Sequence, residues 1–258
     1  MEQHKEAFGK LLAIMDELRA KCPWDKEQTL ESLRTLTIEE TYELADAIME
    51  NNLTEIKKEL GDLLLHIVFY AKIGSENGAF DISDVIYNLN EKLIYRHPHI
   101  FGDVQVANAR EVSENWEQLK LKEKGRKKSV LEGVPKSLPA VIKAHRIQDK
   151  VRGVGFDRDE KEQVWDKVAE EMQELEIELL KNPNSEEAEM EFGDLFFSLI
   201  NAARLYGINP ENALERTNLK FIKRFNYLEE KTLKQGIDLK TMPLAEMEKI
   251  WQEAKKED

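Results

Sequence analysis

The chain has 258 residues, enough for one large domain or two of ordinary size, and 41% of them are hydrophobic, enough to build a core. With 51 acidic residues against 38 basic ones its formal charge is -13, the wrong sign for broad binding to nucleic acid or to anionic membranes. One cysteine, Cys22, excludes an intramolecular disulfide; no apolar run approaches membrane-spanning length and no secretory leader opens the sequence, so a cytoplasmic protein is expected.

In chain order, apolar spacing predicts helices near 3–21, 27–50, 52–75, 82–96, 108–123, 137–151, 160–181, 185–206, 210–233 and 243–256. The breaks between them have recognisable chemistry. Asp81 and Ser83 are candidate caps, Gly78 ends one helix, "KNPNS" (181–185) breaks another, and Pro210 after Asn209 opens the next. Alternating strand patterns with Asn-Gly or Asp-Gly turns are missing, so the fold class is all-α. The stretch "GRKKSVLEGVPKSLPA" (125–140) reads as a linker between a domain over 1–124 and a second over 141–258. The basic run "KGRKK" (124–128) reads as solvated linker rather than as a phosphate track.

One predicted helix poses a question. "ELGDLLLHIVFY" (59–70) leaves no wide polar face and is expected to be buried nearly all round, yet Glu59 and Asp62 project from one side of it. "EFGDLFFSLINA" (191–202) repeats the pattern with Glu191 and Asp194. The repetition extends further. Glu39, Glu40 and Glu43 match Glu170, Glu171 and Glu174; Asn90, Lys92 and Arg96 match Asn218, Lys220 and Arg224. Trp116 matches Trp251, and "PWD" (23–25) has a counterpart in "GFD" (155–157). The chain is therefore read as a duplicated helical domain.

Each copy offers E-E-x-x-E on one helix and E-x-x-D on the next, spacings that put the acids on one face. Two such helices packed antiparallel bring four or five carboxylates together. Unpaired, they would cost roughly several kcal/mol each by desolvation. An all-oxygen donor set suits Mg²⁺, with Mn²⁺ as a substitute. Di-iron chemistry ranks low, because none of His4, His66, His97, His99 and His145 forms an E-x-x-H pair. His66 has Ser198 as its counterpart in the other copy and reads as a packing residue, and His97 and His99, flanking Pro98, read as structural. In so acidic a chain a lone E-x-x-E is ordinarily a solvated face, a cap or a lysine partner. Placement before E-x-x-D on an apolar helix, and duplication, set this one apart.

Cations supply the substrate class. Lys220, Lys223 and Arg224 follow Asn218 within about one turn, as Lys92 and Arg96 follow Asn90. Carboxylate-held metal beside Lys and Arg suits a polyphosphate. Trp251 offers a ring for stacking on a base, although tryptophan is more often core, and Asn218 offers an amide to a sugar, phosphate or base.

The acid motifs, the phrase "LEGVPKSLPAVIKAHRIQDKVRGVGFD" (131–157) and the phrase "NEKLIYRHPHIFGD" (90–103) together resemble the MazG family of nucleoside triphosphate pyrophosphohydrolases. The resemblance covers essentially the whole chain. It implies two tandem MazG-type helical bundles and Mg²⁺-dependent hydrolysis of a nucleoside triphosphate to the monophosphate and pyrophosphate. It also implies homodimers or higher homo-oligomers that complete each site, and a housecleaning role in the nucleotide pool. Carried over by residue, it makes Glu171, Glu174, Glu191 and Asp194 the metal ligands with Glu170 close by, and Lys167, Lys220, Lys223, Arg224 and Trp251 the nucleotide contacts. In the first copy the acids are Glu39, Glu40, Glu43, Glu59 and Asp62, but Leu36 stands for Lys167 and Tyr95 for Lys223. Two lost charges weaken polyphosphate binding, so the second copy is expected to be the main catalytic site. A different class, a non-catalytic nucleotide-sensing or dimerisation module, would use the same pockets; the intact acid set in both copies argues against it.

Overall fold

The computed structural model describes residues 1–108, 111–112, 115–116, 119–120, 129–156, 161–234 and 236–256. Every regular element among them is helical. Internal contacts divide the chain into two units, Met1–Ala107 and Asn108–Asp258.

The first unit contains α1 (Glu2–Lys21), α2 (Pro23–Glu27), α3 (Leu30–Met49), α4 (Leu53–Glu76), α5 (Ile82–Arg96) and α6 (Pro98–Phe101). The expected helix over 27–50 starts later, at Leu30, because a capping box fixes its end. Thr29 Oγ1 accepts from the Ser32 amide at 3.1 Å while Ser32 Oγ accepts from the Thr29 amide at 2.9 Å. Asn52 caps α4 by accepting from the amides of Thr54 and Glu55. Asp81, rather than Ser83, caps α5: its Oδ1 accepts from the Ser83 amide at 2.7 Å. The short connection between α3 and α4 folds them into an antiparallel hairpin, which α1 covers on one side. Met15, Leu33, Val68, Phe69 and Ile73 form its core. Each buried side chain of this size contributes about 1.5–3 kcal/mol. A Cβ at Gly74 would lie 2.7 Å from the Phe80 ring, so a larger residue there would make that ring shift.

The second unit contains α7 (Ala140–Arg152), α8 (Lys161–Lys181), α9 (Glu186–Leu205), α10 (Pro210–Lys234), a 3₁₀ turn (Leu239–Thr241) and α11 (Leu244–Ala254). The helix expected over 137–151 begins at Ala140, one residue after Pro139. Ser185 caps α9, its Oγ accepting from the Ala188 amide at 3.1 Å. Helices α8 and α9 form the second hairpin, α7 packs on α9 and α10, and α10 packs on α11. Val164, Val168, Leu175, Leu195 and Ala202 form the core. Of the helix expected over 108–123, residues 111–112, 115–116 and 119–120 are helical and the others after 108 lie outside the described residues. So do 125–128 of the expected linker and Asp157 of the "GFD" match.

The expectation that 59–70 is buried nearly all round is wrong. Leu60 is 53% exposed and Leu64 and Ile67 are also exposed, while Glu59, His66, Val68 and Phe69 are buried. A hairpin with one covering helix can hide only one stripe of α4, and the acid lies in that stripe. The second copy behaves alike: Phe192, Phe196 and Leu199 of α9 are exposed.

Candidate functional site

In the first unit, Glu40 and Glu43 sit about one turn apart on α3 and face Glu59 on α4. One carboxylate oxygen from each of the three lies within 4.8 Å of the others. Glu59 is 3% exposed. Its Oε1 accepts from Lys58 Nζ at 2.8 Å, while Oε2 is buried with no hydrogen-bond donor. The Glu40 carboxyl is pushed above the ordinary range by burial, and further by the charges of Asp62, Glu43 and Glu59. Glu39 is exposed and stands outside this cluster.

The second unit repeats the cluster with Glu171, Glu174 and Glu191, again with oxygens within 4.8 Å of one another. Glu171 is 7% exposed. Burial, then Glu174, Asp194 and Glu171, raise the Glu191 carboxyl. Here a cation joins the acids. Lys167 Nζ lies 2.7 Å from Glu171 and 3.0 Å from Glu170. Those two hydrogen bonds, Glu171's first, push its ammonium up to about 12. A cavity of about 500 Å³ opens at this point, with Lys167, Glu171 and Asp194 in its wall. Both clusters suit a hard divalent cation. The donors are all oxygen, the carboxyls resist joint ionisation, and Glu59 Oε2 is a buried acceptor lacking a donor.

The basic residues lie elsewhere in the second unit. Lys223 and Arg224 on α10 line a separate cavity of about 270 Å³ with Tyr227 and Ala254, which shares no wall residue with the first. Trp251 on α11 packs against Phe221 at 5.0 Å between ring centres, with Arg224 Cζ 5.9 Å from its ring. Asn218 Nδ2 donates to Glu215 Oε2 at 3.1 Å, and Lys220 is exposed. In the first unit Lys92 is exposed and Arg96 buried. Of the expected ligands, Glu171, Glu174 and Glu191 lie together, as do Glu40, Glu43 and Glu59, while Asp194 and Asp62 are not in these triads, and Lys223 and Arg224 line a cavity other than the one that Lys167, Glu171 and Asp194 line.

The model of the MazG nucleotide pyrophosphohydrolase domain matches residues 28–101 and 160–228, the two hairpins and the helix after each. The chain is also 45% identical over 251 residues to the nucleoside triphosphate pyrophosphohydrolase/pyrophosphatase MazG of Thermotoga maritima, covering 96% of this chain and 95% of that one. The chain belongs to the MazG family. It is 40% identical to the nucleoside triphosphate pyrophosphohydrolase of Escherichia coli K12, covering 97% of this chain and 98% of that one. It matches YabN of Bacillus subtilis at 45% identity, over 96% of this chain and 51% of that protein.

Reading the sequence does not single out the far wall of the second MazG site. Gln148 on α7 and Ser198, Asn201 and Arg204 on α9 line it. Gln148 Nε2 donates to the Phe197 carbonyl at 2.8 Å, and Arg204 donates through Nε and Nη2 to Asn201 Oδ1 at 3.2 and 2.8 Å. The available signal was polarity out of place: Asn201 and Arg204 interrupt the apolar face of α9. Gln148 lies ahead of the second matched stretch, in the phrase that carries the resemblance without an acid motif.

Proposed function

We propose that this MazG protein hydrolyses nucleoside triphosphates to the monophosphate and pyrophosphate in a Mg²⁺-dependent reaction, mainly at its second copy, with Mn²⁺ able to substitute. The carrying observation is that Glu171, Glu174 and Glu191 converge where Lys167, Glu171 and Asp194 open into a ligand-sized cavity. Glu171, Glu174, Glu191 and Asp194 hold the cation. Mg²⁺ held by these residues would supply positive charge against the triphosphate and would acidify a water molecule. Lys167 is a neutraliser: it pairs with Glu170 and Glu171 and turns to the triphosphate when substrate enters. That move frees Glu170, which orients the attacking water and takes its proton. Attack at the α-phosphorus breaks the α–β bridge, and pyrophosphate leaves.

The site is completed by a second copy of the chain. Two features support this reading. Lys223 and Arg224 lie in a different cavity from the acids. The exposed rows Leu60, Leu64, Ile67 and Phe192, Phe196, Leu199 adjoin the carboxylates and leave apolar surface for a partner to cover. The domain limits we assign are 1–124 and 141–258 with 125–140 as linker. Nucleotide-pool housecleaning is the role that fits a small pyrophosphohydrolase with no nucleic-acid-binding charge.

The test is direct. Incubated with Mg²⁺ and a panel of nucleoside triphosphates, the wild type should release pyrophosphate and monophosphate, and Glu174→Gln should not, with its helical circular dichroism intact. Normal turnover by that variant refutes the ligand assignment; nucleotide binding without turnover by the wild type favours the sensor reading.

A further inference from the structure

We infer that Lys58 is a tethered counter-cation of the first acid cluster: its ammonium holds Glu59 and so lowers the affinity of Glu40, Glu43 and Glu59 for a divalent cation. The inference rests on the reading of that cluster as a cation site. Glu59 is the innermost of the three acids, 3% exposed, and a carboxylate placed so deep needs positive charge or donors close by. Lys58 Nζ supplies them to Oε1 at 2.8 Å, while Oε2 is buried with no donor. A divalent cation among Glu40, Glu43 and Glu59 draws on the same carboxylate, and two positive charges on one carboxylate repel. Ion and ammonium therefore compete.

Lys58 has a second partner. Its side chain is 59% exposed, so only its tip is committed, and Glu55 Oε2, about one turn back on α4, lies 3.9 Å from Nζ. That pair is the weaker of the two. Glu55 is 47% exposed and its charge is screened by water, whereas Glu59 is shielded. Transfer of Lys58 from Glu59 to Glu55 is open to the chain but costs affinity. The lysine competes with the cation without barring it.

The second copy meets the same charge problem from the other helix. Counting from Glu59 and Glu191, Met190 stands in the place of Lys58 and Glu189 in that of Lys57. The ammonium there belongs to Lys167 on α8, where the first copy has Leu36. It pairs with Glu170 and Glu171 and lies in the cavity wall. Displacing Lys167 turns a positive charge toward a ligand space; displacing Lys58 only exchanges one acid for another.

The experiment uses Mn²⁺ alone as the probe, titrated into the full chain carrying Glu191→Gln to disable the second cluster. Free and bound ion are read by electron paramagnetic resonance, and affinity by calorimetry. Adding Lys58→Met, which keeps the stem and removes the ammonium, should tighten Mn²⁺ binding about tenfold. Lys58→Arg, which keeps a charged donor, should change it by less than about threefold. Lys57→Met, which removes the same charge from the exposed neighbouring residue, should change it by less than about twofold. Adding Glu43→Gln to Lys58→Met should abolish the gain. If Lys58→Met does not fold, Lys58→Gln carries the test with the same expectation. No Mn²⁺ binding by the Lys58→Met chain, an unchanged or weaker affinity, an equal gain from Lys57→Met, or a gain that survives Glu43→Gln overturns the inference. The chain with Glu43→Gln alone isolates the second cluster. Failure of that chain to bind Mn²⁺ overturns the cation reading of the catalytic copy instead, and Lys58 is then judged by its own ratio.

Discussion

After its E-x-x-D pair, α4 continues with His66, Phe69 and Lys72, whereas α9 continues with Ser198, Asn201 and Arg204. The carboxylates ahead of these residues are arranged alike in the two units, three oxygens within 4.8 Å. What differs is the space behind them. Phe69 joins Met15, Leu33, Val68 and Ile73 in a closed core, with Leu36 packed against it. In the second unit the position of Leu36 is Lys167, paired with the acids, and the region opens into the cavity. A pair of packed helices thus fixes an acid cluster whatever lies behind it. Whether the cluster serves a substrate depends on the third layer, α1 or α7, and on the residues that α4 or α9 turns toward it.

The sharpest way to break this comparison is to neutralise matched ligands. Glu174→Gln should lower the rate of Mg²⁺-dependent pyrophosphate release at least about 100-fold, and its counterpart Glu43→Gln should leave it within about twofold, since charge, not size, is removed. Equal losses would mean that both copies turn over. Next in size is a stability effect confined to the closed unit. Phe69→Ala should destabilise by about 3–5 kcal/mol in urea unfolding, because it empties a packed core. Asn201→Ala, on the cavity wall, should change stability by about 1 kcal/mol. A reversal of that order would show that the two regions are packed alike. Smaller again is the role of the cation. Lys167→Ala should raise KM for the triphosphate about tenfold with less change in kcat, and Leu36→Lys in the other copy should not alter turnover.

The acid clusters were legible because helical spacing of three and four is rigid, and because duplication marks a pattern that composition alone would produce by chance. Asp81 was legible as a cap, whereas Thr29, Asn52 and Ser185, which start α3, α4 and α9, were not singled out. The outward turn of Leu60, Leu64 and Ile67 was not legible. Apolar content says that a helix face will be covered, not whether its own chain covers it. Gln148 and Asn201 were hidden for a related reason. Their place in the cavity wall is a property of side-chain orientation that no residue spacing encodes.

The smallest expected effect tests whether both clusters, open and closed, bind metal. Glu40 and Glu191 have carboxyls raised above the ordinary value of 4.5, each chiefly by burial and then by neighbouring acids. From 4.5 up to the raised value the folded chain therefore holds more protons than the unfolded one. Stability contributed by this difference is complete below the window and is lost as pH rises through it. Mg²⁺ binds the ionised clusters, so its stabilisation must grow over the same interval. The gain in Tm on adding saturating Mg²⁺ should be near zero at the acid end, and a few degrees on the neutral side. In Glu40→Gln the gain should be reduced but not abolished, because the second cluster remains; in Glu40→Gln combined with Glu191→Gln it should all but vanish. A gain that the single Glu191→Gln change removes completely would show that the closed cluster holds no metal. In that event the convergence of Glu40, Glu43 and Glu59 would record ancestry of the fold rather than a second working site.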